Sequence, residues 1–112
     1  MKRKIIFFRN HFIDFYTSLN ENDQLKIEYV LDIIKHLQRI PKKFLKHIEG
    51  TDGLYEIRIS SFINEYRIFC CFDSGMLVIL FSGFNKKSRK TPKNELEKAL
   101  KLMSEYFNEK SK

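Results

Sequence analysis

Between Leu54 and Phe81 the chain carries three consecutive runs that suit β-strands, and the folds open to it are those that keep these runs side by side. In the first run Tyr55, Ile57 and Ile59 alternate with Glu56, Arg58 and Ser60; in the second Tyr66, Ile68, Cys70 and Phe72 alternate with Arg67, Phe69 and Cys71. Period-two patterning gives strands with two unlike faces. The third run, Met76 to Phe81, is apolar throughout, as in a strand covered on both sides, and Asp73-Ser74-Gly75 ahead of it supplies turn chemistry. Short connections make the three strands antiparallel.

A hairpin of the first two runs centred between Phe62 and Ile63 sets Arg58 opposite Arg67, Ile59 opposite Tyr66 and Ile57 opposite Ile68. One face is then apolar, and the other carries both arginines with Glu56 and Phe69. Like charges directly across a ladder are destabilising. The pair therefore needs an anion between the guanidinium groups, either a carboxylate such as Glu56 or Glu65 or a bound phosphate. Two solvated arginines on the polar side of a sheet are the plain alternative.

The flanks read as helix. Lys4 to Phe8 is a short β-prone run that suits an edge strand. Asn10 then suits an N-cap, followed by Phe12, Phe15, Tyr16 and Leu19 at helical spacing. From Asp23 to Arg39 the positions Ile27, Val30, Leu31, Ile34 and Leu37 repeat at the same spacing until Pro41 stops them. Thr91 as N-cap and Pro92 in the first helical position open a last helix with Leu96, Ala99, Leu100, Met103 and Phe107 as its buried stripe. The expected class is α+β: an antiparallel sheet of about four strands packed with two amino-terminal helices and one carboxy-terminal helix. With 112 residues, 43% of them hydrophobic, and no linker-like block, residues 1–112 read as one domain.

A formal charge of +7 and a pI near 9.5 favour a polyanionic partner: RNA, DNA or an acidic protein. Lys42, Lys43 and Lys46 lie in the connection into the sheet; Lys86, Lys87, Arg89 and Lys90 place four cations within five residues after the third strand. These lysines and arginines read either as grips on a phosphate backbone or as solvated charge. Phe84, between them, reads either as a base-stacking ring or as core. His47 near the sheet entrance is either a proton carrier or an ordinary exposed histidine. His11 and His36 show no ligand spacing with other residues, so neither a metal nor a cofactor is expected. Cys70 and Cys71 are adjacent in a strand, point to opposite faces, and read as reduced packing residues. No apolar run approaches the roughly 20 residues of a membrane span, and Arg9 interrupts Ile5 to Phe8 before signal-peptide length, so the expectation is a cytoplasmic protein without membrane association.

Gly53-Leu54-Tyr55-Glu56-Ile57-Arg58, Tyr66-Arg67-Ile68, and Phe81-Ser82-Gly83-Phe84-Asn85-Lys86-Lys87-Ser88-Arg89-Lys90-Thr91-Pro92 followed by Glu95-Leu96-Glu97-Lys98-Ala99 stand in a distinctive order. Over roughly residues 44–100 the chain resembles the RelE/HigB superfamily of toxin–antitoxin toxins, most closely its HigB-like, phage-derived branch. The resemblance implies a microbial-RNase-like fold that enters the ribosomal A site and cleaves mRNA without a metal, held inactive by an antitoxin of helix-turn-helix type. Contact with DNA would then be indirect, through that antitoxin. It carries Arg58, Arg67 and Lys86 over as catalytic residues. Lys42, Lys43, Lys46, Phe84, Lys87, Arg89 and Lys90 would contact RNA. The chain departs from its relatives at Tyr55, where they have tryptophan, and at Asn85, where many have valine. Rival readings are a ParE-like gyrase-inhibiting toxin and a non-catalytic RNA- or protein-binding member of the fold.

Overall fold

The structure, a computed structural model, describes residues 2–112. Its elements are β1 (Lys4–Phe7), α1 (His11–Thr17), α2 (Glu21–His36), β2 (Leu45–His47), β3 (Tyr55–Ser60), β4 (Glu65–Asp73), β5 (Leu77–Asn85) and α3 (Lys93–Lys110). They make an α+β fold built on one five-stranded sheet of order β1-β5-β4-β3-β2. The expected register of β3 on β4 holds, with Arg58 opposite Arg67, Ile59 opposite Tyr66 and Ile57 opposite Ile68.

Three expectations change. The sheet is mixed rather than antiparallel, because β1 closes one edge by pairing parallel to β5. A fifth strand, β2, lies within the segment read as a connection and pairs antiparallel with Tyr55–Ile57; three residues are too few to show alternation. The last strand runs on to Asn85 instead of ending at Phe81. Phe69 pairs with Ser82 but Cys70 pairs with Leu80, so Phe81 is an extra residue without a partner, and this bulge inverts the facing of every later side chain in β5. Ile79 and Phe81 before it and Phe84 after it consequently fall in one cluster.

Each face of the sheet is covered by different helices. Ile57, Ile59, Tyr66, Ile68, Val78 and Leu80 pack with Phe12 of α1 and with Ile27, Val30 and Ile34 of α2. Phe69, Cys71, Ile79, Phe81 and Phe84 pack with Ala99 and Leu102 of α3. Cys70 and Cys71 are buried free thiols, one in each cluster, as adjacent strand residues must be. Phe107 is exposed where the pattern had it buried; Leu102 and Tyr106 take the sheet-facing positions instead. Pro92, not Thr91, occupies the N-cap position of α3, and Asn10 caps α1 by position without a side-chain hydrogen bond. Among the described residues no helix is long and apolar enough to cross a membrane.

Two polar anchors hold the layers in place. Asp73 at the end of β4 accepts from the Tyr106 hydroxyl and the Lys110 ammonium, each at 2.7 Å, which ties down the carboxy-terminal end of α3. On the other face Asp23 of α2 accepts from the Tyr66 hydroxyl and, at 3.1 Å, from the Asn64 amide. The Asn85 amide in turn donates to Asn64 at 2.9 Å, so one network spans α2, the β3–β4 turn and β5.

The Tyr66 and Asn64 hydrogen bonds hold the Asp23 carboxyl below its ordinary value, while burial and the Asp23 contact push Tyr66 up to about 12. Because the folded carboxyl titrates lower than the unfolded one, its stabilisation is complete above the ordinary value of about 3.9 and is lost as pH falls through the folded value. Asp23→Asn is expected to be less stable at neutral pH and to flatten the acid limb of a stability–pH profile measured by urea denaturation. A Cβ at Gly83 would meet the Phe15 ring at 2.5 Å. Gly83→Ala is accordingly expected to lower unfolding free energy by about 1–3 kcal/mol in the same assay.

Candidate active site

The helices leave one end of the α3-facing side of the sheet uncovered, and the polar residues of β3 and β4 collect there. Arg58 donates its backbone N–H outward to Phe44 at 2.8 Å, so by alternation the Arg58–Arg67 pair is a non-hydrogen-bonded one, the closer of the two antiparallel spacings. Two guanidinium groups therefore start from adjacent points on the same face.

Glu56 makes this arrangement tolerable. Its side chain is only 5% exposed; Oε1 accepts from Arg58 Nε at 3.1 Å, and Oε2 stands 4.0 Å from Arg67 Nε. The Arg67 fork also donates to the Tyr66 carbonyl at 3.0 Å and lies 3.8 Å from Glu65, whose carboxylate accepts from Ser60. Glu56 Oε2 and Arg67 Nε are both buried without a hydrogen bond. The pair is thus neutralised by charge, with one guanidinium nitrogen and one carboxylate oxygen left short of partners. Glu56 carried no role beyond that of a possible counter-ion in the sequence. Its shared parity with Arg58 was the signal.

An open cleft of ≈ 710 Å³ lies beside them, lined by Lys46, His47, Ile48, Glu49, Glu56, Arg58, Lys86, Arg89, Lys90 and Thr91. Five cations face two carboxylates there, and Lys46 sits directly across from Glu56. Arg58 is 31% exposed and forms part of the lining; Arg67, at 10%, stands behind it. Lys86 is half-buried, its backbone N–H bonded to the Glu65 carbonyl at 2.6 Å. This brings Arg58, Lys86, Lys46, Arg89 and Lys90 together and leaves the other nominated residues apart. Lys42 and Lys87 are exposed outside the lining. Lys43 lies over the Phe44 ring at 4.9 Å and lines a smaller groove, of ≈ 330 Å³, that also reaches Arg58.

Phe84 does not serve as a stacking surface. It is 7% exposed, with its ring 5.6 Å from that of Phe69 in a stacked pair, because the bulge at Phe81 turns it into the α3 cluster. His47 pairs with Tyr55 and packs its ring at 5.2 Å against that residue's, on the side of β2 away from Glu56 and Arg58, yet it also contributes to the lining of the same cleft. Among the described residues no cluster of His, Cys, Asp and Glu suits a metal ion.

The arrangement of the sheet and helices is shared with a solved RelE-type chain. A chain of the archaeal RelE–RelB complex from Pyrococcus horikoshii OT3 superposes with a TM-score of 0.58 at 16% identity, covering 80% of this chain and 100% of that one. Residues 14–104 match the model of the phage-derived Gp49-like proteins. The chain belongs to that family, a RelE/HigB-type toxin family. No curated protein matches the sequence.

Replacing Glu56 should expose how much the arginine pair depends on it. Glu56→Gln is expected to lower stability on the order of 3 kcal/mol, since it leaves a nearly buried guanidinium uncompensated. Sulfate at millimolar levels should restore part of this loss in the variant beyond any effect on the unmodified protein, as measured by thermal denaturation.

Proposed function

We propose that this protein is the toxin of a toxin–antitoxin pair and that it cleaves mRNA on the ribosome without a metal. The observation that carries the reading is the facing pair Arg58 and Arg67 at the edge of a cation-lined cleft. Membership of a RelE/HigB-type family supports the toxin role. The likeness to an archaeal RelE–RelB complex supports a protein partner, here an antitoxin of helix-turn-helix type, with DNA reached only through it. Cytoplasmic localisation follows from a ribosomal target.

In the proposed reaction the 2′-hydroxyl oxygen attacks the adjacent phosphorus and the bond to the 5′-oxygen breaks, giving a 2′,3′-cyclic phosphate and a 5′-hydroxyl. One proton leaves the attacking hydroxyl and one reaches the departing oxygen. Charge grows on the phosphate in the transition state. Arg58, the accessible fork, meets it with donors of matching geometry. Arg67 lies deeper, fixed on the Tyr66 carbonyl, and adds a second positive charge. Lys86 either stabilises the same charge or exchanges a proton with the reacting hydroxyls. Lys46, Arg89 and Lys90 in the cleft, with Lys42, Lys43 and Lys87 around it, supply sequence-independent attraction to RNA. The ribosome contributes orientation that an open site of this size lacks.

The deep position of Arg67 favours one rival, a binding domain without catalysis, and a single experiment separates the two. Arg58→Ala is expected to keep its fold by circular dichroism while cleavage, mapped as new mRNA 5′ ends after induction, drops on the order of a hundredfold. Arg58→Lys should not restore it, because an ammonium cannot replace the planar fork. Growth arrest unchanged in both variants, or arrest with DNA damage and no new mRNA ends, excludes the nuclease.

A further inference from the structure

The turn that joins β3 to β4 is built against local preference. Its two tip positions are Phe62 and Ile63, where turns ordinarily carry Gly, Asn, Asp or Ser, and neither takes a positive φ. Phe62 has a relative accessibility of 101% and Ile63 of 81%, so two large apolar side chains are given wholly to solvent. A residue choice that contradicts both turn chemistry and burial marks a position under another constraint.

The tip is also held rigidly. The Ser61 backbone N–H bonds to the Asn64 carbonyl at 2.9 Å, the Ser61 hydroxyl accepts from the Asn64 backbone, and the Asn64 side chain is fixed between Asp23 and Asn85. Such pre-organisation reduces the entropy lost when a partner engages the tip.

Position selects the partner. On the α3-facing side of the sheet the hairpin carries Glu56, Arg58 and Ser60 on one strand and Glu65 and Arg67 on the other, of which Glu56 and Arg58 line the cleft, and the turn closes just beyond the Ser60–Glu65 pair. Lys86 is bonded through its backbone to Glu65 at the root of the same turn. Phe62 follows Arg58 by four residues, about 13 Å of strand, within reach of a nucleic acid strand seated on the cleft. The cleft lining holds no Phe, Tyr or Trp, its one ring being the His47 imidazole already packed on Tyr55, and Phe84 is buried.

We propose that Phe62 is a nucleobase-stacking residue for the RNA strand whose phosphates occupy the cleft, with Ile63 flanking the stacked base. The assignment rests on the nuclease reading and names the substrate-binding element that this reading lacks. Stacking on an aromatic face tolerates every base, so Phe62 contributes affinity and register and no sequence preference by hydrogen bonding.

The chain contains no tryptophan, which makes Phe62→Trp a unique fluorescent reporter at a position where the fold loses nothing. The probe is a six-nucleotide oligoribonucleotide with 2′-O-methyl groups, which remove the attacking hydroxyl, titrated at low salt. Saturable quenching of the tryptophan is expected. Phe62→Ala should bind the labelled probe roughly 5- to 100-fold more weakly with an unchanged salt slope, since no charge is removed. Emission unmoved while labelled probe binds, with Phe62→Ala binding as tightly as the unmodified protein, overturns the stacking role and leaves the nuclease reading standing. Quenching by a co-purified antitoxin and not by the probe assigns the tip to protein recognition and overturns the proposal likewise. Failure of the unmodified protein to bind the probe at all overturns the stacking proposal as well, while the ribosome-dependent nuclease reading is decided separately by the mapping of mRNA 5′ ends.

Discussion

The charge balance around Glu56 is the interaction on which the site depends. Two arginines face each other at the closer antiparallel spacing, where repulsion works directly against the β3–β4 ladder. One buried carboxylate reaches both, bonded to Arg58 and at longer range to Arg67. Desolvating three charges is unfavourable unless each finds partners, and here one carboxylate oxygen and one guanidinium nitrogen find none. Any preference for an anion comes from the excess of cations lining the adjacent cleft, and the unpartnered carboxylate oxygen works against it. The same strand that builds the core on its other face, through Ile57 and Ile59, thereby presents the binding chemistry.

The bulge at Phe81 decides what surrounds that chemistry. Without it, alternation along β5 would carry Gly83 and Asn85 to the arginine face and Phe84 to the α1 side. With it, Ser82 and Phe84 close the floor beneath α3, Gly83 admits the Phe15 ring, and Asn85 joins the Asp23–Asn64 network. One inserted residue therefore sets the packing under α3, the seat of α1 and the anchoring of the β3–β4 turn together. Bulges commonly sit next to functional sites for this reason: they re-aim side chains that the pleat would otherwise fix.

The two faces of the sheet also divide labour. The α1/α2 face is closed, with its polar groups spent on the anchor through Asp23 and Tyr66. On the other face α3 covers only part of the strands and is fastened at its far end by Asp73, Tyr106 and Lys110. The uncovered end receives Lys46 from β2 and the basic exit of β5, so cations separated widely in the chain line one cleft.

Local pattern in the chain determined a good deal. Alternation in 55–60 and 66–72 marked the strands, and a turn centre assumed between Phe62 and Ile63 then placed Arg58 beside Arg67, because a period of two leaves no freedom once the turn is fixed. Helical spacing found all three helices, and the motif order found the family. Tertiary structure alone decided the rest. The parallel partner of β1, the short strand β2 and the bulge that buries Phe84 depend on contacts between distant segments. So does the facing of His47, which followed only from pairing with Tyr55. Which residues share a strand is written in neighbouring side chains; which residues share a cleft depends on how strands pair and where one of them carries an extra residue.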